Sequence, residues 1–246
     1  MCFLIDCTGS MEPWIQAAKE QAQDMIQATR REQPDAEFQT AFVGYRDYGD
    51  EERFIVVDFT EPDNMLARVR DVHADGGCDA AEDVAGGLDR VWELNWWDAD
   101  VRMVVHIADA PPHGRNYHPV ALGDRFPEGD PEHRDPLIYI EKFVDRGIDY
   151  TFVKIDDTTD MMIGKFACVW GERPGFRVLD LRPQVVARQQ QLPPPVSPPL
   201  HAPALFETPR RTIVADDPTL YLSPGLSRMV SDSITRHTSS QVPGGF

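Results

Sequence analysis

The stretch Phe3-Leu4-Ile5-Asp6-Cys7-Thr8-Gly9-Ser10-Met11 decides the fold. The four residues from Cys2 to Ile5 are apolar and predict a short strand that is buried on both faces of a parallel sheet. Polar residues follow at once, and Pro13 then marks the first turn of a helix. Because open α/β sheets bind their ligands at the carboxyl ends of their strands, we expect these polar residues to lie at a binding edge.

Asp6, Thr8 and Ser10 supply one carboxylate and two hydroxyls to this edge. Oxygen ligands of this kind suit Mg²⁺, Mn²⁺ or Ca²⁺ and suit zinc poorly. An alternative stays open from the residues alone, because hydroxyls at a turn before a helix also cap free backbone N–H groups. The turn is therefore either a divalent-cation site or a helix cap.

The rest of the chain alternates apolar runs with amphipathic segments, which predicts an α/β fold: a doubly wound, mostly parallel sheet with helices on both faces. The later strands are predicted at 38–45, 54–59, 101–108, 150–155 and 176–181, and the run 54–59 is expected at an edge of the sheet. Helices are predicted at 13–32, 64–72, 80–94, 136–146 and 159–168. Residues 110–135 form a long polar loop, of a length typical of functional or mobile segments.

Two further carboxylates are expected near the first. Asp109 ends the apolar run 101–108, so adjacent parallel strands would place it a few ångströms from Asp6. Asp79 comes just before the helix at 80–94. Glu82 and Asp83 are expected in the first turn of that helix, where acidic side chains complement the helix dipole and need no other role.

The spacing Asp-x-Thr-x-Ser that starts at Asp6 resembles the metal-ion-dependent adhesion site of von Willebrand factor type A domains, whose pattern is Asp-x-Ser-x-Ser. Three later segments strengthen the resemblance: GYRDYGDE at 44–51, GGCDAAEDVAGGL at 76–88 and HIADAPPHG at 106–114. They resemble the version of the domain that is found beside alpha-kinases and in hemicentins. The resemblance covers residues 2–180.

The resemblance implies a metal site formed by Asp6, Thr8, Ser10, Asp79 and Asp109. Thr8 and Ser10 would bind the ion directly, and Asp6 and Asp109 would act through waters or through hydrogen bonds to those hydroxyls. Asp79 stands where many such domains have a threonine. Three ionised carboxylates around a divalent ion leave a net charge of about −1, so we expect ion retention to be favoured over capture of an acidic partner residue.

Other side chains near this edge have simpler expected roles. Arg46 and Asp47 are expected to form an ion pair that braces the edge. His113 lies close to Asp109 in sequence, but a surface-loop histidine is the expected role. Cys7 and Cys78 flank the site and are expected to be small packing residues rather than redox switches.

Charge limits the partners that fit. The 246 residues include 24 basic and 41 acidic residues, which gives a net charge of −17. Because residues 181–246 hold 6 basic and 4 acidic residues, residues 1–180 carry a net charge of −19. Such a domain disfavours nucleic acid as a partner and favours cations or a basic protein surface, although acidity also serves solubility.

The four cysteines lack the spacing of a disulfide framework, and no apolar run is long enough to span a membrane. We therefore expect a protein of the reducing cytoplasm. The chain begins inside its predicted central strand, whereas members of the family usually carry residues before it. A missing N-terminal segment therefore stays open.

The chain is expected to divide into a domain at 1–182, a proline-rich linker at 183–218, and a C-terminal helix with a tail at 219–246. Eight prolines between 183 and 209 prevent that stretch from packing a core. Leu226, Met229, Val230 and Ile234 recur at helical spacing. This final helix would dock on the domain or bind a partner.

Together these features predict a non-catalytic module that binds a protein ligand through a divalent cation, with Mg²⁺ preferred. The sequence contains no P-loop, nucleophile-elbow or zincin motif. One alternative is a magnesium-dependent phosphohydrolase with Asp6 as nucleophile, which would call for an aspartate where Thr8 stands. Another is a regulatory or scaffold domain of an alpha-kinase system.

Overall fold

The computed structural model describes residues 1–180, which form one six-stranded sheet and five α-helices. The strands are β1 Cys2–Asp6, β2 Thr40–Tyr45, β3 Phe54–Thr60, β4 Arg102–Ala108, β5 Ile148–Lys154 and β6 Phe176–Asp180. The helices are α1 Glu12–Glu32, α2 Pro62–Val69, α3 Val84–Glu93, α4 Pro136–Arg146 and α5 Asp160–Trp170.

The sheet has the strand order β3-β2-β1-β4-β5-β6. Strand β3 lies at the edge of the sheet, as predicted for that segment. It pairs antiparallel with β2, and the other pairs are parallel. The predicted α/β class with a mostly parallel sheet is thus confirmed. Because β1 lies between β2 and β4, the residues that follow these three strands meet at one edge, which we call the carboxyl rim.

Strand β1 shows why the sheet is covered on both sides. All five of its residues are buried. Phe3 and Ile5 point to one face and pack in a core with α1 and α2, whereas Cys2 and Leu4 point to the other and pack with α3, α4 and α5. Alternate side chains of a strand face opposite sides, so an apolar run without polar interruptions requires helices on both faces.

Helix α3 begins later than predicted. Its first residue is Val84 rather than a residue near position 80, because Asp83 occupies the N-cap and its Oδ1 accepts a hydrogen bond of 2.8 Å from the Gly86 backbone N–H. Glu82 therefore lies outside the helix, in the loop at the carboxyl rim. The expected place of Glu82 in the first helical turn was wrong, and its role has to be sought in the loop.

A polar stack lies inside the apolar core below the rim. His106 of β4 is fully buried, with Nε2 2.9 Å from the Tyr45 hydroxyl and Nδ1 2.5 Å from the Tyr150 hydroxyl. Burial lowers the pKa of His106 to about 3, so the ring is neutral at ordinary pH. One ring nitrogen then donates to a hydroxyl and the other accepts from one, which joins β2, β4 and β5 through their side chains.

The predicted linker at 183–218 and helix at 219–246 lie outside the described residues, and the domain boundary at 182 stays a prediction. Among residues 1–180, none of the helices combines the length and the apolar character that crossing a membrane requires.

Candidate metal centre

In the turn after β1, the hydroxyl of Thr8 donates a hydrogen bond to the carboxylate of Asp6. Asp6 is fully buried, and its Oδ1 accepts hydrogen bonds from the Thr8 backbone N–H at 2.9 Å and from Thr8 Oγ1 at 2.6 Å. Neither the 3₁₀ turn Gly9–Met11 nor helix α1 is capped by a side chain. The helix-cap alternative for this turn was therefore wrong, because the Thr8 hydroxyl donates to a carboxylate instead of accepting from the backbone.

Ser10 connects this turn to the end of β4. Its Oγ donates to Asp109 Oδ1 at 3.1 Å and lies 3.2 Å from Thr8 Oγ1. The four side chains thus form one chain of contacts, from Asp6 through Thr8 and Ser10 to Asp109. We call these four residues the rim group.

When Asp6 and Asp109 are both ionised, the two hydroxyls of the rim group have no proton left for each other. A hydroxyl carries one proton and two lone pairs, so when Thr8 donates to Asp6 and Ser10 donates to Asp109, lone pairs face each other across 3.2 Å. That contact is repulsive without a positive charge between or beside the oxygens. Neighbouring ligands of an octahedral ion with metal–oxygen distances of about 2.1 Å are about 3 Å apart, so the spacing fits a small divalent cation.

The carboxylates of the rim group also lack a balancing charge. Asp6 Oδ2 is buried and has no hydrogen-bond partner among the described residues. Burial and the nearby Asp109 raise the pKa of Asp6 to about 7, against the effect of the Thr8 hydrogen bonds, and burial raises the pKa of Asp109 as well. A bound cation would remove this electrostatic cost, so the residues present fit a divalent ion.

Asp79 reaches the carboxyl rim but contacts other residues. Its Oδ1 accepts from the Ala81 backbone N–H at 3.1 Å and its Oδ2 from the Arg125 backbone N–H at 2.6 Å. One ligand atom each from Asp79, Asp47 and His113 lie within 4.8 Å of one another. The structure thus brings together four of the five predicted site residues in the rim group and places Asp79 in a neighbouring group.

Glu82 is a rim residue that the sequence analysis missed. It is 3% exposed, and its backbone N–H donates to Pro111 O at 2.9 Å, which ties the loop before α3 to the loop after β4. Burial and the charges of Asp6, Asp47 and Asp79 raise the pKa of Glu82 to about 11. Its Oε1 lies close to Gly77, where an added Cβ would be 2.9 Å from that oxygen and 3.1 Å from the Thr8 Cβ.

His113 is not a surface histidine, so that expectation was wrong. It is 3% exposed, with Nε2 2.7 Å from Asp47 Oδ1 and Nδ1 2.9 Å from Asp124 Oδ1. Burial alone would lower the pKa of His113, but the two carboxylates raise it above its ordinary value. The long loop 110–135 folds back over the rim and carries His113 with it. The only sequence signal for a place at the rim was that His113 lies close to Asp109 along the chain.

An ion pair between Arg46 and Asp47 was expected from the sequence, and this expectation was also wrong. Arg46 Nη1 lies 3.4 Å from Glu52 Oε2, and its guanidinium donates to the backbone oxygens of Cys7, Glu52 and His73 at 2.8–3.2 Å. Arg46 therefore braces the rim through carbonyl groups, whereas Asp47 turns to His113. The residue that follows in sequence points to the other side of the strand end, which explains why neighbours cannot share this contact.

The fold and the rim define a class: an α/β ligand-binding domain whose polar residues gather at the carboxyl ends of central strands. A model of the von Willebrand factor A domain family matches residues 1–116. This segment is thus a von Willebrand factor A domain, as the resemblance implied. Domains of this family are in general binding modules without enzymatic activity and mediate protein interactions.

Relatives support the same family. The chain is 31% identical over 166 residues to the alpha-protein kinase vwkA of Dictyostelium discoideum, a match that covers 66% of this chain and 26% of the kinase. The chain therefore spans about a quarter of the length of that curated relative. The likeness to an alpha-kinase agrees with the subgroup expected from the sequence.

Solved structures show the fold. The VWA domain of SpRpn10 superposes with a TM-score of 0.50 at 11% identity, covering 73% of this chain and 85% of that one. The pilus adhesin SpaC of Lactobacillus rhamnosus GG gives a TM-score of 0.52 at 13% identity, covering 77% of this chain and 29% of the adhesin.

Proposed function

We propose that the domain binds a protein ligand through a divalent cation, most suitably Mg²⁺, held by Asp6, Thr8, Ser10 and Asp109. The observation that carries the proposal is the pair of hydroxyls 3.2 Å apart, each within hydrogen-bond distance of a carboxylate, whose lone pairs face each other when Asp6 and Asp109 are ionised. Thr8 and Ser10 would be direct ligands, and Asp6 and Asp109 would orient them and supply negative charge. Asp79 would add charge from its neighbouring position.

The exposure of the rim group suits a site that is shared with a partner. Asp6 and Thr8 are buried, whereas Ser10 is exposed at the surface. An ion held from below would keep open positions towards solvent, where an oxygen of the partner can replace a water molecule. The net charge of −19 on residues 1–180 favours a partner whose surrounding surface is basic.

Calorimetric titration with Mg²⁺ and Mn²⁺ tests the ion. We expect Ser10→Ala to weaken binding at least tenfold, because it removes a direct ligand. Thr158→Val is the matched control, since Thr158 Oγ1 donates to the Asp109 backbone oxygen at 2.8 Å and lies outside the rim group. Equal binding by the wild type and Ser10→Ala would contradict the site.

A pull-down in Mg²⁺ or in EDTA then tests partner binding. We expect a protein that binds the wild type and Thr158→Val in Mg²⁺ and is lost both in EDTA and with Ser10→Ala. A partner retained in EDTA would show that binding does not depend on the ion.

The other two readings of the sequence have weaker support. No contact among the described residues favours the phosphohydrolase, because Asp6 is fully buried and Thr8 occupies the position where a second aspartate would be needed. A regulatory role beside an alpha-kinase is compatible with protein binding, and a kinase as the captured partner would support it. The cysteines described by the structure are free, which agrees with the proposed cytoplasmic location.

A further inference from the structure

A second group of ligand atoms lies beside the rim group. Asp47 follows β2, Asp79 precedes α3 and His113 follows β4, and one ligand atom of each lies within 4.8 Å of the other two. Asp47 is fully buried, His113 is 3% exposed and Asp79 is half-buried. Three segments far apart in sequence thus bring two carboxylates and an imidazole to one point.

His113 is oriented as a metal-binding histidine is. Its Nδ1 lies 2.9 Å from Asp124 Oδ1, which leaves Nε2 pointing at Asp47. Asp124 is itself held by His118 Nε2 at 2.9 Å and by the backbone N–H groups of Gly114 and Phe126, each at 2.8 Å. A carboxylate behind one ring nitrogen fixes the tautomer and the direction of the other, which is the usual support of a histidine ligand.

Two buried oxygens beside this group lack hydrogen-bond partners. Asp47 Oδ2 and Glu82 Oε2 have none among the residues that the structure describes, although both side chains are more than nine-tenths buried. Glu82 lies three residues after Asp79, and its backbone N–H donates at 2.9 Å to the oxygen of Pro111, two residues before His113, which holds it at the same part of the rim. A buried carboxylate oxygen without a donor needs either a proton or a cation.

We propose that Asp47, Asp79 and His113 form a second divalent-ion site, with Glu82 beside it, that takes a transition-metal ion such as Zn²⁺. An imidazole nitrogen favours zinc and its neighbours over Mg²⁺, whereas the rim group offers oxygen alone. Neighbouring ligands of a tetrahedral zinc ion are about 3.3 Å apart, so His113 Nε2 and Asp47 Oδ1, now 2.7 Å apart, would separate slightly to admit the ion while the Asp79 oxygen moves towards them. The ion takes the place of the proton between His113 Nε2 and Asp47 Oδ1, and this site stands independently of the proposed Mg²⁺ site.

Nitrogen NMR of the full 246-residue chain with labelled histidines tests the nitrogen ligand directly. All samples carry Cys78→Ser and Cys168→Ser, because these two thiols are exposed and bind zinc by themselves. On addition of Zn²⁺ we expect His113 Nε2 to move to the shift of a metal-bound nitrogen while Nδ1 keeps its proton. Unchanged His113 nitrogens in saturating Zn²⁺ would overturn the proposal without the need for any site variant.

Zn²⁺ calorimetry with matched variants separates the two sites. We expect Asp47→Asn and His113→Gln each to lower the affinity of the tightest Zn²⁺-binding event at least 100-fold. His73→Gln, which removes an exposed histidine outside both groups, and Ser10→Ala are each expected to change the affinity of this event less than threefold. If Zn²⁺ binding is lost with Ser10→Ala and kept with Asp47→Asn, zinc lies in the rim group and the second site is overturned. The proposed Mg²⁺ site is tested separately, by Mg²⁺ titration of Ser10→Ala.

Discussion

Two acidic clusters at the carboxyl rim differ in what neutralises them. Around Asp83, arginine side chains supply the positive charge: Arg53 Nε lies 2.6 Å and Arg134 Nη2 3.2 Å from its carboxylate oxygens, and Arg134 also pairs with Asp130 at 3.2 Å. The rim group has hydroxyls where this cluster has guanidinium groups. The cluster around Asp83 is neutralised within the protein, whereas under the proposed function a cation from outside would neutralise the rim group.

The pKa values reflect the same difference. Burial raises the pKa of Asp83 to about 6 against the pull of Arg134 and Arg53, whereas hydrogen bonds from Arg134 and Tyr48 keep the pKa of Asp130 below its ordinary value despite burial. Asp6 has only hydrogen bonds and rises further, to about 7. The proposed function thus places its ion at the buried carboxylates that no arginine of the protein neutralises.

The largest effect is expected when the arginine cluster is broken. Arg134→Met leaves Asp130 and Asp83 with too little positive charge in a buried setting, so we expect a loss of about 3 kcal/mol in the free energy of unfolding. Urea denaturation measures it. Arg115→Met is the control, because Arg115 pairs with Glu128 on the surface of the same loop and should cost less than about 1 kcal/mol. Equal losses would show that the arginine cluster is no more important than a surface pair.

Removal of a charge from the rim group should raise the free energy of unfolding, whereas breaking the arginine cluster lowers it. The pKa of Asp6 is about 7 in the folded protein and 3.8 for the ordinary group, so ionisation of Asp6 lowers stability as the pH rises from about 4 to 7. In EDTA at pH 8, Asp6→Asn removes that charge and should stabilise the fold by about 2 kcal/mol. Asp130→Asn, from the other cluster, should destabilise it. If both variants destabilise to the same extent, the two clusters do not differ as described.

Ion binding should depend on pH through the same group. Mg²⁺ needs ionised Asp6, so below pH 7 binding releases a proton, and the affinity should rise about tenfold per pH unit before it levels off. Calorimetry between pH 5.5 and 8.5, in steps of about one unit, measures it. A constant affinity over that range would mean that Asp6 is already ionised in the free protein.

The smallest effect is expected from Asp79→Thr. Because the Asp79 oxygens are bonded to backbone N–H groups, we expect this residue to act on Mg²⁺ by charge alone and its loss to weaken binding about threefold. The matched control is Asp75→Asn, which removes an exposed carboxylate from the same loop and should change binding less. Equal or tighter Mg²⁺ binding by Asp79→Thr would argue against a contribution of that charge to ion retention.

The parts of the site that could be predicted from sequence are those at strand ends. Asp6 and Asp109 stand at the ends of mainly apolar runs, and the order of parallel strands then brings them together. Glu82 and His113 could not be predicted in the same way. Their positions depend on how the long loop after β4 folds back against the loop before α3, through the bond from Glu82 N–H to Pro111 O, and no local periodicity encodes that contact.

Arg46 shows why the ion-pair partner of a charged residue is difficult to predict from sequence. Adjacent opposite charges at 46 and 47 suggest a pair, but a strand end turns them to different sides, and each finds its contact in a distant segment. The direction of each side chain at the strand end decides which partner it meets. The sequence therefore places both residues at the rim without predicting their partners.

The neutral His106 between two tyrosines offsets the effect of Asp6 on the pH dependence of stability in the metal-free domain. Below about pH 6.5 unfolding takes up one proton at this ring, whereas at Asp6 it gives one up, so between about pH 4 and 6.5 the two contributions to the slope cancel. A cation that keeps Asp6 ionised abolishes the second contribution and leaves the first. Loading the rim would therefore make the free energy of unfolding rise more steeply with pH in this range, by the equivalent of one proton per molecule.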